Sequence, residues 1–319
     1  MVESYWGVAG VTATVLVISS GLIYKANRGK SPNDRDKPTI SHILLYPVKG
    51  CRGIERYSAT ITDNGLKYDR QYAVIVKSDP KGGYTALSQT KYPKLARVVP
   101  MNFDNENITL SAPDQPNLDH RAKLSGKEYT VEFFGDQIQV IDQGEEASSW
   151  FSNFLGATVR FVRLSPHADR RTADGKVRPN SFFFRTPLLV MSTESLHDLS
   201  ANARFKADYA RFRPNIVLTG VSKAWEEDNA DAIHIGDLRL KGTEHCERCS
   251  IPGVDPQTGV LDTVMLGAMR KARAGSTMYA PKYPVKPDEY YVGTYFQPSL
   301  VAEKTETRVY IGQEVELYN

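Results

Sequence analysis

Cysteine is scarce in this chain, and the glycine-rich loops that bind common cofactors are missing. The 319 residues include three cysteines, an odd number that excludes a disulfide framework and suits a reducing compartment. Neither Gly-x-Gly-x-x-Gly nor Gly-x-x-x-x-Gly-Lys-Ser/Thr occurs, so nicotinamide, flavin and nucleotide sites have no support from the sequence. Electrons for any redox reaction would therefore have to come from another protein.

Strong charge of one sign is also absent. The formal net charge is +3, which is too weak to indicate a nucleic-acid partner, and no basic run interleaved with aromatic residues follows the first 38 residues. An anionic ligand would have to be held by a local cluster of cations.

Residues 4–24 form the one long run without a charged side chain. About 20 such residues can cross a hydrocarbon core of about 30 Å as a helix, and Trp6 and Tyr24 stand near its ends as interface anchors. A cleaved signal peptide is the alternative, but it needs a basic segment first, and here Met-Val-Glu-Ser precedes the run. We therefore predict a transmembrane signal anchor over residues 1–25.

The segment after this run is rich in cations, and residues 26–38 have the composition of a polar linker. The cations are Lys25, Arg28, Lys30, Arg35 and Lys37. Because cytoplasmic flanks carry the excess of positive charge, the C-terminal body is expected in the cytosol. These features do not name the membrane.

The remainder predicts a β-rich α+β fold, from alternating strand patterns and a few capped helices. Strands are predicted at 40–48, 72–77, 97–103, 108–111, 129–134, 137–142, 159–164, 188–191, 215–219 and, in short pieces, 307–318, with a hairpin over 233–240. Helices are predicted at 145–155, 193–204 and 262–273, with Gly156 ending the first and Thr193 capping the second. Gly135-Asp136 is a predicted hairpin turn. The charged stretch 165–178 indicates either a boundary between two units or an ordinary solvated loop.

Two of the cysteines form a Cys-x-x-Cys pair, Cys246 and Cys249. A thioredoxin-like redox pair begins a helix, whereas Pro252, Gly253 and Pro256 follow here and forbid one. The pair is therefore predicted to lie on a loop. A thiolate with an arginine beside it suits a soft metal centre that carries an anionic cofactor.

Four segments resemble motifs of the MOSC family of molybdenum-cofactor domains. Cys246-Glu-Arg-Cys249 followed by Val254-Asp-Pro-Gln-Thr-Gly259 is similar to its signature, and Tyr46-Pro-Val-Lys-Gly-Cys51 is similar to its N-terminal element. Asp69-Arg70 and Phe212-Arg-Pro-Asn215 resemble two further elements, in the family's order. With the apolar run ahead of it, the chain most resembles the mitochondrial amidoxime-reducing component family.

The resemblance implies a fold, a cofactor and a site. The fold would be a transmembrane helix, a MOSC N-terminal β-barrel-like domain at residues 39–165 and a MOSC β-barrel domain with peripheral helices at 166–319. The cofactor would be the molybdenum cofactor, with Cys249 as metal ligand and catalytic residue. The implied cofactor contacts are Lys49, Gly50, Arg70, Arg185, Thr186, Arg213, Asn215, Glu247, Arg248 and Tyr295.

Three of these positions depart from the family's pattern. Gly50 stands where serine is usual, so only its backbone could serve there. Glu247 replaces a small hydroxyl residue and brings a negative charge that Arg248 or solvent would have to offset. Arg185 replaces a threonine or similar residue and could supply that compensation.

Zinc is the competing use of the thiols. Cys51, His245, Cys246 and Cys249 could make a Cys3His set. However, the adjacent His245 and Cys246 cannot easily reach one metal, and a second Cys-x-x-Cys or His-x-x-x-His pair is missing. Cys51 and Cys246 can instead be buried thiols.

The function implied by the resemblance is reduction of N-hydroxylated compounds (amidoximes, hydroxylamines, N-hydroxyguanidines) by a membrane-anchored molybdenum enzyme. Cytochrome b5, itself reduced by NADH-cytochrome b5 reductase, is the implied electron donor. The implied location is the mitochondrial outer membrane, and the endoplasmic reticulum stays open. The alternative is a molybdenum-cofactor carrier or sulfuration module without reductase activity, because MOSC domains also end molybdenum-cofactor sulfurases. A zinc-stabilised anchored scaffold is a third hypothesis.

Overall fold

Residues 37–319 form one compact unit in the computed structural model. The structure describes residues 37–78, 83–104, 106–166, 170–171, 177–178, 182–183, 186–203, 207–300 and 305–319. Except for Lys37 and Pro38, the predicted linker lies outside the described residues, and so does most of the predicted boundary at 165–178.

Strands dominate the described residues. In chain order they are β1 (Thr39–Leu45), β2 (Ile54–Glu55), β3 (Ser58–Thr62), β4 (Gly65–Leu66), β5 (Tyr72–Lys77), β6 (Tyr84–Ala86), β7 (Val99–Phe103), β8 (Asn107–Ser111), β9 (Leu118–Arg121), β10 (Glu128–Phe133), β11 (Asp136–Asp142), β12 (Arg160–Leu164), β13 (Arg170–Arg171), β14 (Val177–Arg178), β15 (Leu188–Ser192), β16 (Ile216–Thr219), β17 (Ala232–Ile235), β18 (Leu238–Glu247), β19 (Tyr291–Ser299), β20 (Glu306–Tyr310) and β21 (Glu316–Tyr318). The helices are α1 (Glu145–Leu155), α2 (Thr193–Ala203), α3 (Tyr209–Phe212) and α4 (Thr263–Arg273).

The largest sheet has the strand order β2-β1-β16-β15-β19-β18-β17-β21. Apart from β2, its ends meet, because the Ile40 amide donates to the Gln313 carbonyl at 3.0 Å and the Val315 amide donates to the Pro38 carbonyl at 2.8 Å. Its buried side chains, Phe296 among them, form one aliphatic-rich core. Removing that apolar surface from water is the main term that stabilises the sheet.

A smaller barrel closes in the first half of the chain. The strand order β10-β6-β5-β12-β11 returns to β10 through the β10–β11 hairpin, so five strands form a ring. Buried and exposed positions alternate along β10 and the start of β11, as expected for strands with one inward face. α1 packs against β12, where the rings of Phe151 and Phe161 stack at 4.9 Å between centroids.

Strands from the two halves of the chain share sheets. β1 pairs antiparallel with β16, and β3 pairs antiparallel with β20. At the end of β1, the Leu44 amide donates to the Asn215 carbonyl at 2.9 Å. This pairing brings the segment after β1 next to the segment before β16, although the two are far apart in sequence. The domain boundary near residue 165 stays a prediction.

Local signals set the helix ends. Gly156 ends α1 in the left-handed region at φ 69°, where glycine carries no steric penalty, as predicted. Asp262 caps α4 by accepting from the Val264 amide at 2.8 Å. α2 is capped by Ser192, whose hydroxyl accepts from the Ser195 amide at 3.1 Å, so the predicted cap at Thr193 is wrong by one residue.

The predicted hairpin over 233–240 is confirmed, because β17 pairs with β18 on either side of Gly236 and Asp237. Two other predicted strand details need correction. The β10–β11 turn is centred on Phe134 and Gly135, at φ 53° and 83°, since the strands already pair at Phe133 and Asp136. The strand predicted from residue 97 begins as a short 3-10 helix, Pro93–Arg97, before β7.

The predicted fold class is wrong in one respect. Among the described residues, no helix is long and apolar enough to cross a membrane. The signal anchor predicted over residues 1–25 lies outside the described residues. The corrected fold class of the described residues is β-rich with a closed five-stranded barrel.

Candidate functional site

The predicted site residues meet around one cavity of about 380 Å³, lined by both halves of the chain. This volume is within the range of small-molecule sites. The predicted residues in its lining are Lys49, Gly50, Arg70, Thr186, Arg213, Asn215, Glu247, Arg248, Cys249 and Tyr295. Arg185 lies outside the described residues. The structure thus brings these side chains together, and their roles as ligand contacts stay predictions.

Cys246 and Cys249 take different positions at this cavity. β18 continues through Cys246, because its pairing with β19 extends to Glu247 and Tyr291, so the prediction of a loop is wrong for Cys246. Cys249 lies in the loop after the strand, and its side chain is exposed. Burial raises the pKa of the Cys246 thiol, which keeps it neutral, whereas the Cys249 thiol is accessible to a metal.

Two arginines flank the ring of Tyr46 at the cavity. The guanidinium carbon of Arg213 is 4.3 Å from the ring centroid, and that of Arg70 is 4.9 Å from it. Both backbones are left-handed, with φ 59° at Arg213 and 51° at Arg70, and such uncommon conformations cluster at functional sites. Two like charges are therefore held close together in the cavity wall.

Arg213 has a donor group that no atom of the described residues satisfies. Its Nη1 donates to the Cys51 carbonyl at 2.5 Å, but its buried Nη2 has no hydrogen-bond partner among the described residues. Burial lowers the pKa of Arg213 to about 10, and the charge of Arg70 acts in the same direction. An unpaired buried donor costs about 1–3 kcal/mol, so this atom is suited to an anionic acceptor bound in the cavity.

The buried Asp69 carboxylate holds Arg70 and Asn215 in place. It accepts from the Tyr46 amide at 2.8 Å and from Asn215 Nδ2 at 3.1 Å, and it forms an ion pair with Arg70. Burial raises the pKa of Asp69, and the charge of Arg70 opposes that rise. Asn215 Oδ1 also accepts from the Leu189 amide at 3.3 Å. Asn215 therefore links the Asp69 carboxylate to β15 of the largest sheet.

Lys49 adds a third cation. Its Nζ donates to the Leu87 carbonyl at 2.6 Å and lies 5.5 Å from the centroid of the Phe133 ring. Burial lowers the pKa of Lys49 to about 8, and the charge of Arg213 acts in the same direction. Neither a carbonyl nor a ring face neutralises the ammonium charge, so Lys49 also favours an anion in the cavity.

The backbone conformation explains why glycine occupies position 50. Its φ is 81°, and a Cβ there would be 3.2 Å from Leu95 Cδ1, so a serine would be strained. The Gly50 carbonyl accepts from Gln89 Nε2 at 2.6 Å. Gln89 also lines the cavity, and nothing in the sequence singled it out.

Arg248 is occupied by the backbone. Its guanidinium donates to the Val292 carbonyl at 2.9 and 2.5 Å and to the Phe212 carbonyl at 2.8 Å. These bonds direct the guanidinium at backbone carbonyls, which do not neutralise its charge. The Glu247 carboxylate lies 3.5 Å from Lys286 Nζ, at a side chain 32% exposed.

Thr186 and Tyr295 lie together on the sheet side of the cavity. The Thr243 hydroxyl donates to the Tyr295 carbonyl at 3.0 Å, and Thr186 Oγ1 lies 3.3 Å from the same hydroxyl oxygen. Burial raises the pKa of Tyr295 well above its ordinary value, so the phenol stays neutral and can donate a hydrogen bond.

An aromatic wall, which the sequence did not predict, completes the cavity. Its members are Phe133, Phe134, Phe182, Phe183 and Phe212. Phe133 and Phe182 meet edge to face at 5.6 Å between centroids. Phenylalanines in apolar segments are typical of a core, so no sequence signal separated these rings from core residues. The wall gives an organic ligand apolar contact beside the cations.

The alternative zinc set is not assembled. Within the described ranges, no group of three or more histidine, cysteine, aspartate or glutamate side chains is placed to hold a metal ion. The buried His245 ring instead lies near Asp228, with 3.8 Å between Nδ1 and Oδ1. Cys51 is also buried, and burial raises its pKa to about 12.

These donors fit a cofactor that combines a phosphate with a soft metal. Charged donors bind phosphate strongly, and the unpartnered Nη2 of Arg213 with Lys49 and Arg70 would hold it. A thiolate suits a soft metal, and exposed Cys249 would supply it.

The sequence matches two domain families and several known proteins. Residues 37–158 match the MOSC N-terminal beta barrel domain, and residues 170–316 match the MOSC domain. The chain is 33% identical over 237 residues to mitochondrial amidoxime reducing component 2 of Macaca fascicularis, which covers 70% of this chain and 69% of that protein. The Homo sapiens protein of the same name is 32% identical, with 70% and 69% covered. Molybdenum cofactor sulfurase of Danio rerio is 27% identical, with 77% of this chain but 32% of that protein covered.

The two domain matches span most of the chain and agree with the relatives. The MOSC domain is a molybdenum-cofactor-binding domain, which confirms the predicted cofactor. The chain therefore belongs to the family of MOSC-domain molybdenum-cofactor enzymes that includes the mitochondrial amidoxime-reducing components.

Proposed function

We propose that this chain reduces N-hydroxylated compounds, such as amidoximes, hydroxylamines and N-hydroxyguanidines, to the parent nitrogen base. For a hydroxylamine, R–NHOH takes up two electrons and two protons and gives R–NH2 and water, so the N–O bond breaks. One observation carries the proposal: an exposed Cys249 thiol lines the same cavity as Lys49, Arg70 and Arg213. The relatives named amidoxime-reducing components support the substrate class.

The cations and the thiol would bind different parts of the cofactor. Lys49, Arg70 and the unpartnered Nη2 of Arg213 would hold its phosphate in the buried part of the cavity. Cys249 would hold the metal at the exposed part, where a small substrate can reach it. When bound there, the cofactor supplies a two-electron redox centre for removal of oxygen from nitrogen.

The remaining wall suits the proposed substrates. The phenylalanines give apolar contact to an aryl or alkyl group and exclude water from it. Glu247 and Glu289 also line the cavity. Their carboxylates can accept hydrogen bonds from the N–H groups of an amidoxime and attract the cationic amidine that forms from it. The wall therefore favours nitrogen-rich substrates over anionic ones.

The electrons are proposed to come from cytochrome b5, which NADH-cytochrome b5 reductase reduces in turn. The lack of a nicotinamide, flavin or nucleotide motif in the sequence supports a protein donor. We also propose that the chain associates with mitochondria, because the relatives carry that word in their names.

Metal analysis and turnover of the full chain test this function. The chain is purified from a host that makes the molybdenum cofactor, and molybdenum is measured by inductively coupled plasma mass spectrometry. We expect near-stoichiometric molybdenum and reduction of an aromatic amidoxime with the cytochrome b5 system. Cys249→Ala should abolish turnover, whereas Cys51→Ala, which changes a buried thiol outside the cavity lining, should retain it. Normal turnover in Cys249→Ala, or zinc in place of molybdenum, contradicts the proposal.

The second candidate is a cofactor carrier or sulfuration module. The resemblance to molybdenum cofactor sulfurase, at 27% identity over 77% of this chain, favours it. A carrier would contain molybdenum cofactor but take no electrons from cytochrome b5, and it would release the cofactor to a cofactor-free enzyme. The same purified chain therefore distinguishes the two functions.

A further inference from the structure

Three aliphatic side chains stand exposed where the Cys249 loop leads into α4. Val260, Leu261 and Val264 are 62%, 49% and 55% exposed, and they define the apolar patch. Gly267 lies on the next turn of α4, and outside that helix no atom of the described residues comes within 4 Å of a Cβ placed there. Scattered exposed apolar residues are ordinary, but adjoining ones indicate an interaction surface.

The apolar patch adjoins the cavity that Cys249 lines. Pro252 belongs to the cavity lining, and a Cβ at the following residue, Gly253, would be 3.0 Å from Leu261 Cδ1. A β-bridge between Val254 and Leu261 fixes this contact. A protein bound on the apolar patch would therefore lie beside the exposed thiol.

Cations rim the apolar patch on two sides. On one side, a Cβ at Gly259 would be 3.2 Å from Arg97 Cδ and 3.4 Å from Lys94 Cα, so both residues lie against Gly259, which precedes Val260. On the other side, Arg270 and Lys271 are exposed in the last turn of α4.

Tyr290 links α4 to the loop that carries Cys249. Its side chain packs against the buried cluster that includes Met265 and Met269 of α4, and its carbonyl accepts from the Arg248 amide at 2.9 Å. The nearby carboxylate of Asp262 accepts from the Val264 amide, so its charge is directed at the helix end. An apolar centre with a cationic rim is complementary to a protein with an acidic rim.

We propose that the electron donor of this enzyme docks on the apolar patch and its rim of Lys94, Arg97, Arg270 and Lys271. The partner is an acidic redox protein, which is the role that cytochrome b5 takes under the proposed function, and this inference rests on that function. Redox complexes are small and transient, so a patch of this size suffices. The rim charges speed association, and the apolar centre excludes water at contact.

The test compares a protein donor with a small one. Val264→Glu and the double variant Arg270→Glu/Lys271→Glu are made in the full, cofactor-loaded chain. Leu124→Glu and Arg121→Glu are the matched controls, because both side chains are exposed, at 58% and 77%, on the β9 side of the molecule. Amidoxime reduction is measured against cytochrome b5 concentration and, separately, with reduced methyl viologen, which needs no docking surface.

The expected result is a rise of about tenfold in KM for cytochrome b5 in both patch variants, with viologen-driven rates within about twofold of the original chain. The double variant should also lose most of the salt dependence of kcat/KM. Unchanged KM values in the patch variants, or equal rises in the controls, overturn the docking surface and leave the proposed function intact. Failure of the unaltered chain to accept electrons from cytochrome b5, with viologen-driven reduction intact, overturns the partner and this surface together.

Discussion

The guanidinium of Arg213 stacks on the ring of Tyr46, with 4.3 Å between the guanidinium carbon and the ring centroid. The guanidinium of Arg70 lies 4.9 Å from the same ring. The electron-rich ring faces attract both cations and thereby offset their mutual repulsion. Within the part of the chain that the structure describes, the buried Tyr46 hydroxyl has no hydrogen-bond partner, so the ring, and not the hydroxyl, holds the two arginines.

Replacing this ring should weaken the cofactor site. Cation–π attraction contributes on the order of 1–2 kcal/mol at a desolvated site, so Tyr46→Leu should weaken cofactor retention roughly 5- to 30-fold. Tyr46→Phe keeps the ring and removes an unsatisfied hydroxyl, so it should keep the cofactor and unfold at the same or a higher temperature. The measurements are molybdenum per folded chain and thermal unfolding. Equal metal loss in both variants would show that the hydroxyl matters and contradict this account.

Lys49 should lower the stability of the cofactor-free chain and strengthen binding of the cofactor. Its pKa is about 8 in the folded chain against an ordinary 10.5, so between these pH values the unfolded chain binds more protons and stability rises with pH. Below pH 8 the full cost of the buried charge is present. Lys49→Met should therefore stabilise the cofactor-free chain at neutral pH by on the order of 1–3 kcal/mol. The same variant should lose molybdenum, because the phosphate loses a cation.

Urea unfolding of cofactor-free chains, from neutral pH to about pH 10, checks the Lys49 prediction. The advantage of Lys49→Met should shrink as the pH rises past 8, the value to which burial lowers the pKa of this lysine. A constant advantage across this range would mean that Lys49 does not titrate there. Lys91→Met, which changes an exposed lysine in the same half of the chain, is the control and should leave stability unchanged.

Local features of the fold were predictable from the sequence, and pairings between distant segments were not. α1 and its Gly156 end follow from a helical pattern and a left-handed glycine. The β10–β11 turn was misplaced by one residue because Phe134 takes a positive φ, which phenylalanine rarely does. The pairing of β1 with β16 depends on contacts between residues far apart in sequence, and period-two alternation does not say which strand is the partner.

At the site, too, some residues were predictable from the sequence and others were not. The cations and Cys249 were identifiable from motifs, and the structure places them around one cavity. Gln89 and Phe133 belong to the same lining, but residues of these types occur on most surfaces and in most cores. What Arg248 bonds to was also not predictable, because hydrogen bonds to backbone carbonyls leave no pattern in the sequence.

Arg248 should prove to be a structural cross-link. Its guanidinium donates to the carbonyls of Val292 and Phe212, and a lysine cannot reproduce that fork. Arg248→Lys should therefore destabilise the chain by about 2–3 kcal/mol, while molybdenum per folded chain stays the same. Thermal unfolding and metal analysis measure the two effects, and Arg270→Lys, at an exposed arginine of α4, should change neither. Metal loss without loss of stability would instead make Arg248 a cofactor contact.

Glu227 should make the stability of the chain depend on pH. The carboxylate is fully buried and accepts from the Ser192 amide and hydroxyl, each at 3.0 Å. Burial, and then the charge of Asp228, raises the pKa of Glu227 from 4.5 to about 7. Between these pH values the folded chain binds more protons than the unfolded chain, so the contribution of Glu227 to the free energy of unfolding falls as the pH rises through this window.

Glu227→Gln should remove that fall and stabilise the chain above pH 7 by on the order of 1–3 kcal/mol. Urea unfolding across this pH range measures the effect, with Glu226→Gln, at the partly exposed neighbour, as the control. A Glu227→Gln variant that loses stability relative to the original chain as the pH rises would mean that Glu227 is ionised and paired in the fold, contrary to its buried position.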